Sequence, residues 1–170
     1  MNTNEFLYQF RARQHVYRPY VVCADGFGVS IQASDCHYCT PRISQSSNGF
    51  IPYKNVEIGF PSVADDDLMD YIECCGDPCE SVYAYVPVEV VDKVLEKHGG
   101  IDFTKMKADF EDRYKEWDEA NDPWYNIMRN CIMRQLASNT KSIDEFEDIL
   151  EIKHDELPLS WSEGEKPHDN

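Results

Sequence analysis

Two hydrophobic periods divide the chain. A period of two runs through the front, and a period near 3.6 takes over behind Pro87. YVVCA at 20–24 and FGVSIQA at 27–33 flank Asp25 and Gly26. Asp-Gly suits the positive φ angles of a type I′ turn, so this stretch predicts a β-hairpin. Phe27, Val29 and Ile31 alternate with small or polar neighbours, the pattern of a strand with one buried face. Residues 34–53 read as loop, with Ser44, Ser46, Ser47, Asn48 and Gly49 grouped together. A third strand is predicted over 56–60, stopped by Pro61, then a short helix over 65–73 and a fourth strand over 82–86.

Behind Pro87, which suits a first helical turn, Val88, Val91, Val94 and Leu95 form one apolar face, and Gly99-Gly100 supplies a C-terminal cap. Phe103, Met106, Phe110, Tyr114 and Trp117 recur at three- and four-residue steps and predict a second helix that stops before Asn121. A third helix begins at Asp122-Pro123. A fourth begins at Ser142 with a capping box, Ser142 to Glu145. Residues 157–170 carry Pro158 and Pro167 and little periodicity, and read as a tail. The expected class is α+β: a small antiparallel sheet with a helix over 1–101, an acidic helical region over 102–156, and a flexible tail over 157–170.

Composition adds a charge split to this picture. The net charge is −16, yet residues 1–60 hold four acidic groups against five basic ones. By subtraction, residues 61–170 hold 28 acids against 11 bases, or −17. A field of that sign repels phosphates and attracts basic surfaces, so direct nucleic-acid binding is not expected. No apolar run is long enough for a membrane span, and the N-terminal residues lack a signal-peptide pattern. With seven cysteines, an odd number, reduced thiols and a cytoplasmic location are the expectation.

Candidate chemistry is sparse. Cys36 and Cys39 form a C-x₂-C pair, and Cys74, Cys75 and Cys79 could complete a four-thiolate zinc set, with Cys75 and Cys79 as the second pair. Three residues separate the second pair, and neither pair carries a knuckle glycine, so no metal and no cofactor are expected. Cys39 with His37 or His98 is a conceivable nucleophile and base, but no signature selects them. His98 sits where a helix C-terminus favours a histidine, and capping is the better reading. Gly26 and Gly28 make a G-x-G inside a hairpin, which is a turn and not a phosphate cradle. Asp109, Glu111, Asp112, Glu116 and Glu119 crowd the second helix, and Asp144, Glu147, Asp148 and Glu151 extend the same sign. Such a set is either a solvated face or a protein-binding surface that imitates phosphates.

Four stretches carry a resemblance: CADGF at 23–27 with VSIQAS at 29–34, YCTPR at 38–42, VEIGFPS at 56–62, and VYAYVPVE at 82–89 leading to KHGGI at 97–101. Together they resemble a family of small proteins from bacteriophages and mobile DNA of gut bacteria, most without an assigned function. A type II anti-CRISPR inhibitor of Cas9 looks similar. The resemblance spans about residues 20–101 and brings no catalytic residue. Taken with the charge split and the missing catalytic motifs, it leads to the expectation of a non-enzymatic inhibitor that docks a host nucleic-acid-binding protein, such as a Cas effector, through acidic surface. The alternatives are an accessory phage protein that self-associates, and a small thiol- or metal-dependent hydrolase using Cys36, His37 and Cys39.

Purified protein is expected to carry zinc well below stoichiometry and to keep its helical circular dichroism in chelator. Stoichiometric zinc lost together with the fold would overturn this.

Overall fold

The computed structural model describes residues 1–10, 18–44, 50–74 and 76–113. The helices expected from Asp122 and Ser142, and the tail, lie outside them. In chain order come α1 (Thr3–Gln9), β1 (Val21–Val22), β2 (Gly28–Gln32), β3 (Asn55–Gly59), β4 (Val82–Pro87), α2 (Val88–Lys97) and α3 (Phe103–Arg113). The strands form one antiparallel sheet in the order β1-β2-β3-β4, so the architecture is α+β.

The hairpin between β1 and β2 exists, but its connection is not a two-residue type I′ turn. Only Gly26 takes a positive φ, +98°. The Cys23 amide donates to the Phe27 carbonyl at 2.7 Å, leaving Ala24, Asp25 and Gly26 as a three-residue loop. Asp25 closes it by accepting the Phe27 N–H at 2.8 Å. The helix expected over 65–73 is a 3₁₀ turn, Met69–Tyr71. The physical reason lies at its two ends: Asp65 is buried and Ile72 is drawn into a bridge with Tyr83, which leaves too little chain for α-helical turns.

Helix α1 is an element the periodicity does not announce. Its signal is a capping box, with Asn2 Oδ1 accepting the Glu5 N–H and Glu5 accepting the Asn2 N–H, both at 2.8 Å. Asp92 of α2 accepts the Thr3 amide at 2.6 Å, and Asn4 exchanges two hydrogen bonds with the Tyr53 backbone, at 2.9 and 3.0 Å. Phe6, Leu7 and Phe10 of this helix are buried.

One core joins all these elements. Val21, Val29, Ile31, Val56, Ile58, Tyr83 and Val86 enter it from the sheet. Val88, Val91, Val94 and Leu95 enter from α2, the face the 3.6 period predicts. Met106 and Phe110 enter from α3, and Phe103 stacks on Phe10 of α1 with centroids 6.3 Å apart. The beginning of the acidic region is therefore fastened to the same core as the sheet.

At one place β3 and β4 fall out of register. Val56 pairs with Val86 and Ile58 with Tyr83, so Ala84 and Tyr85 together face the single Glu57, a β-bulge. Tyr85 has φ +51° and Phe60, just past β3, has φ +52°. Bulky side chains rarely take this left-handed conformation, which costs about 1–3 kcal/mol.

Met106→Ala should lower stability by about 2–5 kcal/mol, the usual result of emptying a fully buried apolar site. Denaturant unfolding measures it, and a loss below about 0.5 kcal/mol would mean that α3 is only loosely held.

Candidate functional site

The carboxylates expected to form an acidic face begin on α3. Asp102 starts this helix by accepting the N–H groups of Thr104 and Lys105 at 2.9 and 3.1 Å. Its own amide donates to the Val22 carbonyl at 2.8 Å, and Lys105 Nζ donates to the Ala24 carbonyl, so the helix start is fixed to β1 and the hairpin loop. Met106 and Phe110 face inward and Glu111 and Asp112 are exposed. Asp109 is half-buried and accepts from Arg113 Nε at 2.7 Å, and Lys107 lies 4.0 Å from Glu111. Within α3, Asp109, Glu111 and Asp112 are matched by Lys105, Lys107 and Arg113. This helix by itself is therefore neutral. Glu116, Glu119, Asp144, Glu147, Asp148 and Glu151 lie outside the described residues.

A denser acidic surface stands elsewhere. The connection between β3 and β4 carries Asp65, Asp66, Asp67, Asp70, Glu73, Asp77 and Glu80 and no Lys or Arg between residues 65 and 80. Asp66, Asp70, Glu73, Asp77 and Glu80 are exposed. The local signal was a run of acids in the sequence, which the amphipathic pattern of the helices overshadowed.

Asp65 is the exception in that run, its side chain only 2% exposed. It accepts from Lys97 Nζ at 2.9 Å and from the Asp67 amide at 2.9 Å, and His98 Nε2 lies 3.1 Å away. The other nitrogen of His98, Nδ1, lies 2.7 Å from Asp25 Oδ2 in the hairpin loop. The imidazole is stacked on Phe27 at 3.9 Å, with 7° between the planes. His98 is thus the C-cap of α2, as expected, and also a link between two carboxylates that are distant in sequence. Both ring nitrogens face carboxylates in this arrangement. This Asp25-His98-Asp65 set is a clasp.

The loop with Cys36, His37 and Cys39 is likewise occupied. Cys39 is buried and its Sγ donates to the Ser34 carbonyl at 3.1 Å, while His37 Nδ1 meets Ser34 Oγ at 2.6 Å. Burial raises the Cys39 thiol pKa, and the neighbouring Asp35 raises that of Cys36, the opposite of nucleophile activation. Burial also lowers the His37 pKa and pushes Cys23 up to about 11. Cys75 lies outside the described residues, and among those described no three His, Cys, Asp or Glu side chains converge as metal ligands. No helix among them is long and apolar enough to cross a membrane.

No family model, no curated protein and no solved structure matches this chain.

The clasp contributes to the acid response. The hydrogen bonds from His98 and the Phe27 amide hold Asp25 below the usual carboxyl range. Burial would raise Asp65, but Lys97, the Asp67 amide and His98 outweigh it and the net shift is downward. A carboxyl held low in the fold contributes stability above its unfolded pKa of about 3.9 and loses it as pH falls through the folded value. Urea midpoints should therefore fall steeply below about pH 4, and less steeply in Asp25→Asn. Parallel curves for the two proteins would remove Asp25 from the clasp.

Proposed function

We propose that the protein acts by binding, without catalysis, as an inhibitor of a host nucleic-acid-handling defence enzyme. Its acidic surface occupies a channel lined with Lys and Arg that otherwise holds DNA or RNA. The observation that carries this reading is the placement of charge: −17 beyond residue 60 against +1 before it. Within the described residues, the exposed carboxylates of the 66–80 connection are the part of that charge with no cation in their own segment. A basic channel discriminates poorly between ordered carboxylates and phosphates, because both offer dense negative oxygen acceptors. The engaged His98 ring and the raised thiols of Cys36 and Cys39 support binding over hydrolysis at those groups. An anti-CRISPR-like role, with Cas9 as the effector to examine first, is the form of the proposal that the resemblance of residues 20–101 favours.

Affinity for purified Cas9 should fall by more than about tenfold between about 0.05 and 0.5 M salt, and the protein should displace target DNA. Two charge-reversal variants locate the surface: Asp66, Asp70, Glu73 and Glu80 to Lys, and Asp109, Glu111 and Asp112 to Lys. The first should weaken binding at least about tenfold with little loss of stability, since exposed charges contribute little to folding. Unchanged affinity in both variants would remove the acidic surface from the interaction.

A further inference from the structure

The bulge in β4 presents a second kind of surface. Tyr85 is 43% exposed and Tyr38, from the 34–44 loop, is 39% exposed. Their ring centroids lie 5.7 Å apart with 58° between the planes, so neither ring covers the other's face. The corner is rigid: the Tyr85 amide donates to the Tyr38 carbonyl at 3.2 Å, and the Tyr38 amide donates to Glu57 Oε2 at 3.0 Å. Glu57 is also the residue that faces the bulge.

We propose that the Tyr38–Tyr85 corner, with Glu57 at its base, is a docking point for a guanidinium side chain of a partner protein. Two observations point to that occupant. Arg42 already lies over the Tyr38 ring, 5.9 Å from its centroid, so the corner has the geometry that draws a cation to an aromatic face. Glu57 spends one acceptor on the Tyr38 amide, and a carboxylate offers several more for the N–H fork of an arginine. The left-handed backbone of Tyr85 adds a reason to look here. Gly or Asn would occupy φ +51° with less strain, yet the position carries a large ring turned toward solvent. Tyrosine paired with arginine is also a combination that concentrates binding energy at interfaces. The inference shares its sign of charge with the function proposed above but uses different residues, and it stands without the 66–80 surface.

The test is a nuclear magnetic resonance titration of the full chain with a tetra-arginine peptide, against a tetra-glutamine peptide at matched ionic strength. The arginine peptide should shift the ring signals of Tyr38 and Tyr85, and the glutamine peptide should not. Tyr85→Asn should bind the arginine peptide about two- to fivefold more weakly and melt no lower than the parent, whereas Tyr85→Phe should keep the binding. Shifts confined to residues 66–80, equal affinity for Tyr85→Asn, or a melting point several degrees lower in that variant would each overturn the proposal. In the last case the ring serves the fold alone. The Asp66, Asp70, Glu73 and Glu80 reversal keeps the two readings apart, since ring shifts that persist in it support this corner even if the acidic surface proves idle.

Discussion

A carboxylate almost wholly removed from water must find its donors inside the protein, and Asp65 organises much of the molecule in doing so. Burial of an unpaired carboxylate costs several kcal/mol, and Lys97, His98 and the Asp67 amide supply the partners that offset it. Two of those donors stand at the end of α2, and His98 extends the connection to Asp25 in the hairpin loop. The 62–68 segment, the last turn of α2 and the β1–β2 connection are thereby held in one arrangement. The stacked Phe27 ring keeps the imidazole in the plane that serves both carboxylates.

From this junction the chain is handed to α3. Gly99 and Gly100 take φ near +82° and +81°, and the Ala24 amide donates to the Gly100 carbonyl at 3.0 Å. A side chain at residue 99 would be strained by that angle and would also crowd Ala24. The reversal directs Asp102 back onto Val22, which starts α3 beside β1. Sheet edge, helix cap and helix start are thus parts of one connected set of hydrogen bonds.

How much of this is legible in the sequence depends on the range of the interaction. The apolar face of α2 is visible because its four positions are spaced by the helix itself, and the burial of Val88, Val91, Val94 and Leu95 follows. The α+β class is visible for the same reason. Helix α1 carries only a short local sign, the reciprocal caps of Asn2 and Glu5, and it is held by Asp92 and Tyr53 far along the chain and by the burial of Phe6, Leu7 and Phe10. The clasp is invisible to pattern, because residues 25, 65 and 98 are far apart in sequence and are brought together only by the tertiary fold. His98 shows its capping role but not its partners. The left-handed angles of Phe60 and Tyr85 have no sequence sign either, since nothing about an aromatic residue announces them.

Helix α3 is supported at two places. Asp102 and Lys105 hold its first turn, and at its last described residue the Arg113 guanidinium lies over the Tyr20 ring, 4.1 Å from the centroid. Tyr20 is in turn anchored through its hydroxyl to the Phe60 carbonyl at 2.7 Å. In mechanical terms the described part of this helix is a beam resting on two supports. A molecule pressing on its outer side would load the sheet at two separated points instead of swinging the helix about one hinge. Its side chains therefore meet an incoming surface with their backbone already set, and little ordering is left to be done at the moment of contact.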